Sequence, residues 1–479
     1  MGRKGKTLRK SRQVFLVTLH SPLLILAAAL ALAVSRPALA QLAVARPNYG
    51  VPEFAEPGGV FHSEVKAAAG LAAASWKAVL INDLKSWTGV VERAAYGRYV
   101  DNGTLDGYRL AIRVPRDISP EVFKLAISHA SAGAATNRNA VSVVRNIETN
   151  FYFLHYADPQ ARAYEPTNPD TGKHRKHGSI REILWHAPAL GLIHPRFVFS
   201  TGDEMDNSYG VSAGRYNEYI EAMCRHGVPV LATRGNNDNV ISTADWRSTI
   251  GVETYSIRMG SFYIWQKDVI EDAFKAWFTN DYASSFTNPA VRYRLLGQHF
   301  CLGAMQAPFC FLPPPGQYPD LMLVGHGHTN KTIQSSPYHI IESGPAFDKG
   351  WVGFFEFLHD GSGWTCTTMA SHPSSTWFQV MNTGAVAMVN SSFAAPNDGS
   401  CFTNEAAIAN GLPFTFRDGR LRFLMKYSAA GYGVDNGEKL AEYDYNGRSN
   451  MAVVVKVNIA RSATTRVSIR PLRRPATAR

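Results

Sequence analysis

The sequence predicts an α/β chain: a layered core of sheets flanked by helices, preceded by a small all-β sandwich. Three patterns carry this. Between about 47 and 146 apolar side chains recur at every second position, with turn residues at regular intervals. From Phe151 onward, short apolar runs alternate with helical stretches. At 479 residues with 45% hydrophobic side chains, the chain exceeds what one core accommodates and implies two or three domains.

The first element is a leader. Arg3, Lys4, Lys6, Arg9, Lys10 and Arg12 precede an apolar stretch from Leu23 to Val34, and Ala38-Leu39-Ala40 follows. That is the layout of a secretory signal peptide over 1–40, cleaved after Ala40, and it predicts a secreted or periplasmic protein. The competing reading is an uncleaved membrane anchor beginning near Val14, although His20, Ser21 and Pro22 interrupt that longer run. Removing 1–40 takes away seven basic residues and no acid, lowering the formal charge from +11 to +4. The basic balance is therefore no argument for nucleic-acid binding. No other apolar run is long enough to span a bilayer.

A β-sandwich is expected over 47–148. Tyr108, Leu110, Ile112 and Val114 alternate with polar or small residues, as do Phe123, Leu125 and Ile127, and Ala140 to Val144 adds a strand. The Ala-rich stretch Lys66 to Ala74 reads as helical. The core is expected over 150–358. Phe151 to Ala157 is an apolar strand, and Ser179-Ile180-Arg181-Glu182 is a capping box opening a helix that ends before Pro188. Arg196 to Thr201 is a buried-type strand. The next helix has Tyr216, Tyr219, Ile220 and Met223 on one face and Gly227 at its C-terminal capping position, and Val228 to Thr233 follows as a strand. Further strands are expected at Phe262–Lys267, Tyr293–Gln298, Asp320–Val324, Tyr338–Glu342 and Val352–Phe357. From 359 to 479 the sequence reads as an irregular extension closed by a hairpin of Met451–Ile459 and Arg466–Ile469.

None of the five cysteines forms a CxxC pair, which argues against a thiolate zinc site. In an oxidising compartment Cys301 with Cys310 and Cys366 with Cys401 are possible disulfides, leaving Cys224 as a buried helical thiol.

Four short segments carry chemistry: Asp158-Pro159-Gln160, Gly202-Asp203-Glu204-Met205-Asp206, Gly235-Asn236-Asn237-Asp238 and Gly325-His326-Gly327-His328, with His299 alone between the last two. Each follows a predicted strand and offers carboxylate, amide oxygen or imidazole, the donors that hard and borderline divalent metals take. Loops at the carboxyl ends of strands converge in open α/β sheets, so these scattered residues are expected to meet.

The order and spacing of these segments resemble the calcineurin-like metallophosphoesterase family, with its D-x-H, G-D-x-x-D, G-N-H-D/E, isolated His and G-H-x-H motifs, over roughly residues 150–345. The resemblance implies a metallophosphatase β-sandwich core flanked by helices and a phosphoric ester hydrolase acting on a small phosphorylated substrate. It implies two divalent metal ions (Mn, Fe, Zn, Mg or Co): Asp158, Gln160 and His328 on the first, Asp203 bridging, and Asn236, His299 and His326 on the second. A metal-bridging hydroxide then attacks phosphorus in line.

Two positions depart from the family. Gln160 replaces a histidine, and its amide oxygen is a weaker, harder donor. Asn237 stands where the family has the histidine that touches the phosphoryl group. Asn cannot be a general acid, a role typically contributing about 10² to 10⁴ in rate, though it donates a hydrogen bond. Asn237 and its neighbour Asp238 are the candidate catalytic residues, with Arg234 and Asn239 as flanking candidates. The alternative function is a binding protein that keeps the fold and has lost turnover. Lys173-His174-Arg175-Lys176-His177 reads as a solvated basic loop, and His155 as structural.

Overall fold

The structure is a computed structural model and describes residues 42–161, 180–206, 213–268, 275–300, 310–334, 336–346, 350–368, 377–379 and 388–472. The expected leader, the 173–177 basic loop, Ser179 of the capping box and Cys301 lie outside these residues. The fold is mixed α/β, richer in strands than in helices.

Period-two burial builds the first region. Phe123, Leu125, Ile127 and His129 point inward from Val122–His129, and Tyr108, Leu110 and Ile112 from Leu105–Arg113. Eight strands hydrogen-bond in the order Ala43–Arg46, Val60–Lys66, Leu105–Arg113, Ser86–Tyr99, Trp76–Ile81, Val122–His129, Gly133–Val143, Glu53–Ala55. They bend round one core that includes Leu42 and Val44, so this region begins before 47. The helix expected at Lys66–Ala74 is absent. Lys66 is held extended by pairing with Ala43, and Gly70 turns at φ 81° into a single 3-10 turn, Ala73–Ser75.

The central region has two six-stranded sheets. In one, Val230–Ala232, Val198–Ser200 and Phe151–Tyr156 run parallel, and Trp351–His359 joins Phe151–Tyr156 antiparallel. In the other, Phe262–Lys267, Tyr293–Gln298, Leu321–Val324 and His339–Glu342 are parallel neighbours. Phe153, Phe199 and Phe355 of the first sheet pack with Ile264, Leu295 and Leu323 of the second. The outer faces are covered by helices: Ile180–Ile193 and Ala213–Cys224 on one side, Lys275–Thr287 on the other. The expected helix, strand and capping sequence around Gly227 is present, with Gly227 at φ 62°.

Ile180–Ile193 runs through Pro188 rather than ending before it. Pro188 is exposed, while Ile183, Leu190 and Ile193 are buried on the opposite face. An interior proline costs about 3 kcal/mol. Burying each of those three side chains returns roughly 1.5–3 kcal/mol, so packing decides.

The C-terminal region is not irregular. Residues 388–472 form a four-stranded sheet (Val389–Phe393, Asn404–Asn410, Ala463–Pro471, Tyr432–Asp435) and a three-stranded one (Phe416–Lys426, Asn450–Ile459, Glu438–Tyr445). The expected closing hairpin does not form. Asn450–Ile459 pairs with Phe416–Lys426 and Glu438–Tyr445, whereas Ala463–Pro471 crosses to the other sheet. Alternation fixes which face of a strand is apolar, not which strand pairs with it. Cys366 and Cys401 are thiols rather than a disulfide pair, and Cys310 is likewise a thiol. Cys224 ends its helix half-buried, its pKa pushed up by burial to about 12.

Candidate metal centre

The parallel strands of both central sheets release their loops at one edge of the sandwich. Asp158 follows Phe151–Tyr156, Asp203 follows Val198–Ser200, Asn236 follows Val230–Ala232, His299 follows Tyr293–Gln298, and His326 follows Leu321–Val324. Two glycines let these loops touch. A Cβ on Gly202 (φ 93°) would lie 2.4 Å from Gly235 N, and one on Gly235 would lie 2.1 Å from Asp203 Oδ1.

The seven side chains expected as ligands come together in a closed ring of contacts. Asp158 Oδ2 accepts the His326 backbone N–H at 2.8 Å. His326 Nδ1 and His299 Nε2 lie 2.9 and 3.0 Å from Asn236 Oδ1. His299 Nε2 is 3.4 Å from Asp203 Oδ1, and Gln160 Nε2 donates to Asp203 Oδ2 at 3.4 Å. Gln160 Nε2 is also 3.1 Å from His328 Nε2, which closes the ring at 3.2 Å from Asp158 Oδ1.

The backbone is strained where these side chains attach. Asp158, Gln160, Asp203, His326 and His328 all adopt left-handed conformations, with φ of 46°, 43°, 57°, 71° and 54°. Non-glycine residues in that region cost of order 1 to 3 kcal/mol each and persist only where surroundings impose them, characteristically at functional sites.

Electrostatics fit a cation. One donor atom each from Asp158, Asp203 and His299 lies within 4.8 Å of the others, and all three residues are buried. Asp158 Oδ1 is buried without a hydrogen bond. Burial raises the Asp203 pKa; His299 opposes this and the Asp158 charge adds to it. Burial also lowers the His326 pKa, with His299 adding to the effect, which favours the neutral imidazole that metals take. Two inward carboxylates, imidazoles and amide oxygens make a donor set suited to divalent cations. The ring is open on one side: His328 is 41% exposed, and Gln160, Asn236 and Asn237 are half-buried.

The two candidate catalytic residues occupy different layers. Asn237 lies in the ring's neighbourhood, its N–H donating to Asp203 Oδ1 and its Nδ2 to Asp203 Oδ2, both at 2.8 Å. Asp238 is placed behind the loops and is fully buried. It accepts from the backbone of Gly235, Glu204 and Met205 and from Tyr216 Oη at 2.5 Å, so its carboxylate holds the second and third motifs together. Burial and the Asp203 charge raise its pKa to about 7. Arg234 is also buried, against Asp268 at 2.5 Å, rather than at the ring. Asn239 is exposed.

The sequence reading missed the supports behind the ring. In the sequence Tyr216 and Tyr219 read only as part of an apolar helix face. Both are buried, and their hydroxyls donate to Asp238 and Glu204. Thr201 accepts from His299 Nδ1 through its carbonyl at 2.8 Å, and its hydroxyl meets His155 Nε2 at 3.0 Å. His155 is structural as expected, buried and neutral, its pKa depressed by burial to about 3. Glu342, at the end of a strand, accepts from Thr329 N and Oγ1 and so ties down the segment after His328. The available signals were a strand ended by an acid and two tyrosines one helical turn apart.

No protein-family model and no curated protein matches this chain. Solved structures do. The zinc complex of Vps29 from Entamoeba histolytica is 11% identical with a TM-score of 0.22, spanning 45% of this chain and 96% of that one. A protein from Staphylococcus aureus provisionally assigned as a 5′-nucleotidase is 13% identical with a TM-score of 0.25, spanning 46% of this chain and 53% of that one. An uncharacterized protein from Streptococcus pneumoniae that carries a phosphoesterase prediction is 12% identical with a TM-score of 0.20, spanning 45% and 97%. Each of these likenesses spans less than half of this chain.

Proposed function

We propose that this chain is a metal-dependent phosphoric ester hydrolase of the calcineurin-like type. The observation that supports it is the closed ring: seven residues from five loops, each touching two others, with two buried carboxylates among them. In this reading Asp158, Gln160 and His328 hold one divalent ion, Asn236, His299 and His326 a second, and Asp203 serves both. Bound ions of this kind neutralise phosphoryl oxygens and lower the pKa of water. The protein's own part is orientation. Asn237 donates toward a phosphoryl oxygen, Thr201 fixes the His299 tautomer, and Asp238 with Tyr216 holds the loop carrying Asn236 and Asn237. The half-exposed side of the ring is where a small phosphorylated substrate enters.

The test is the purified chain stripped of metal and reloaded with Mn or Co, assayed on aryl phosphate mono- and diesters. Activity unchanged in Asp203→Asn would reject the assignment. A second reading, a metal-binding protein without turnover, draws support from one observation: Asn237 directs its backbone N–H and one of its two Nδ2 hydrogens at Asp203, leaving a single donor for substrate. Two bound ions with no hydrolysis of any tested ester would favour it. Among the described residues no helix is long and apolar enough to cross a membrane. Export after Ala40 remains part of the proposal on the strength of the 1–40 sequence, and N-terminal mass analysis of the expressed protein, expected to begin at Gln41, decides it.

A further inference from the structure

The amino ends of the central strands carry the opposite chemistry from the ring. A cavity of about 480 Å³ lies there, walled by Ser142 and Val144 of the first region, Thr149 and Arg196 at the strand starts, and Asp418 and Arg420 of the C-terminal sheet. The six-residue strand Phe151–Tyr156 leads from this end to Asp158. At about 3.3 Å per residue, roughly 20 Å separates the cavity from the ring, so the two are distinct.

Four cationic side chains line the cavity: Arg145, Arg196, Arg420 and Lys456. Two of them are matched by carboxylates, Arg145 with Glu438 at 2.8 Å and Lys456 with Asp418 at 2.5 Å. Among the described residues the other two have no carboxylate within ion-pair distance, although Asp418 and Glu121 lie close enough to act on Arg420. Arg196 donates to the Ile147 carbonyl at 3.3 Å and Thr149 Oγ1 at 3.2 Å, both neutral, and lies 5.1 Å from the Phe151 ring centroid. Arg420 donates to the Pro120 carbonyl, and its Nε is buried with no hydrogen-bond partner. The remaining lining carboxylate, Glu148, accepts from Ser261 N and Oγ.

Burial pulls both guanidiniums down to about 10, opposed by Asp418 and Glu56 at Arg196 and by Glu121 and Asp418 at Arg420; Arg196 also depresses Arg420. They nonetheless stay charged at neutral pH. His194, beside them, is held far below the ordinary range by burial and by both arginines, and is neutral. Half-buried guanidiniums with neutral partners and a spare donor favour an oxyanion, which guanidinium forks bind with directional, charge-assisted hydrogen bonds.

We propose that this cavity binds a small molecule bearing an oxyanion group, a phosphate ester or a dicarboxylate, anchored by Arg196 and Arg420. Its volume falls in the range of small-molecule sites, about 300 to 1,000 Å³. Because the walls come from three separate parts of the chain, such a ligand ties them together and stabilises the fold by mass action. The proposal is independent of the hydrolase reading.

The experiment uses the full chain with EDTA present throughout, so that no anion is recruited through metal. Isothermal titration and thermal melts are run with inorganic phosphate and, separately, with succinate at millimolar concentrations. One of the two anions is expected to bind and to raise the melting temperature; which one does so distinguishes a phosphate from a dicarboxylate ligand. Arg196→Gln and Arg420→Gln are expected to weaken that binding by about tenfold or more. Ligand-free melts report whether each variant folds. If neither does, Arg420→Lys takes their place, keeping the charge while losing the planar fork, and is expected to bind at least about fivefold more weakly. Absence of binding by both anions to the unsubstituted chain overturns the proposal, and so does undiminished binding in the folded variants.

Discussion

The two ends of the central sheets differ in the sign of what they collect. At the carboxyl ends, carboxylates and imidazoles turn inward from strained loops, and Asp158 and Asp203 are both buried within one small space. At the amino ends, Arg196 and Arg420 face a cavity with neutral hydrogen-bond partners. Parallel strands make this difference possible, because every loop leaving the carboxyl end reaches the same crevice, while segments from other regions close the opposite end. The strand bodies between the two ends, by contrast, are mainly apolar, with single polar residues such as His155, Ser200 and Gln298.

That contrast gives predictions with separable readouts. The largest effect is expected at the carboxyl end: Asp203→Asn should lower metal-dependent esterase activity about 10³-fold or more while far-ultraviolet circular dichroism is unchanged. Steady-state rates on an aryl phosphate ester check it. The strand bodies should behave in the reverse manner. Phe153, fully buried and stacked against Phe197 and Phe355, should on Phe153→Ala destabilise the chain by about 3–5 kcal/mol in urea. Metal stoichiometry in the fraction that remains folded should not change. If Asp203→Asn unfolds the protein instead, the ends are not the dispensable, strained part that the backbone suggests.

A third prediction sharpens the role of the ring's open side. Asn237→His supplies a group able to donate a proton, and should raise turnover of esters with poor leaving groups about 10- to 100-fold, with little change for good ones. Equal gains for both would point to binding rather than proton transfer.

The smallest effect concerns the helical layer behind the first sheet. His186 and His226 are buried, and burial lowers their pKa values to about 4 and about 3. The unfolded chain takes up protons on them below about pH 6.5, and the folded chain does not until far lower pH. Their contribution to stability is therefore complete above pH 6.5 and lost as pH falls toward 4, by about 1 kcal/mol per pH unit for each histidine. The difference in urea midpoint between the unsubstituted chain and a His186→Gln, His226→Gln double variant, followed from pH 7 to 5, should shrink accordingly. A difference that stays constant would contradict the depressed values.

Much of the central region was legible because its signals are local. Apolar runs such as Phe151–Tyr156 and Leu321–Val324 are too short and too uniformly buried to be anything but interior strands, and glycine-bearing motifs follow them. The helix through Pro188 was not legible, since the sequence shows the missing N–H but not the buried face that outweighs it. The C-terminal region was misread for a related reason. Glu438–Tyr445 alternates only weakly, and Asn404–Asn410 and Phe416–Lys426, which do alternate, find partners in Ala463–Pro471 and Asn450–Ile459, far along the chain. The partition of Asp238 from Asn237 was equally hidden: adjacent residues in one motif turn to opposite sides of the loop.

Residue types, their order and their place after apolar runs determined the α/β class and nominated the seven ring residues, because strand ends and donor chemistry are written in consecutive letters. Only the tertiary structure decided that Asp238 braces rather than lines the ring, that Tyr216 and Tyr219 spend their hydroxyls on buried carboxylates, and that Arg196 and Arg420 meet across a cavity. Each of those depends on which distant segments approach, and burial and pairing over hundreds of residues are properties of the folded chain, not of its local pattern.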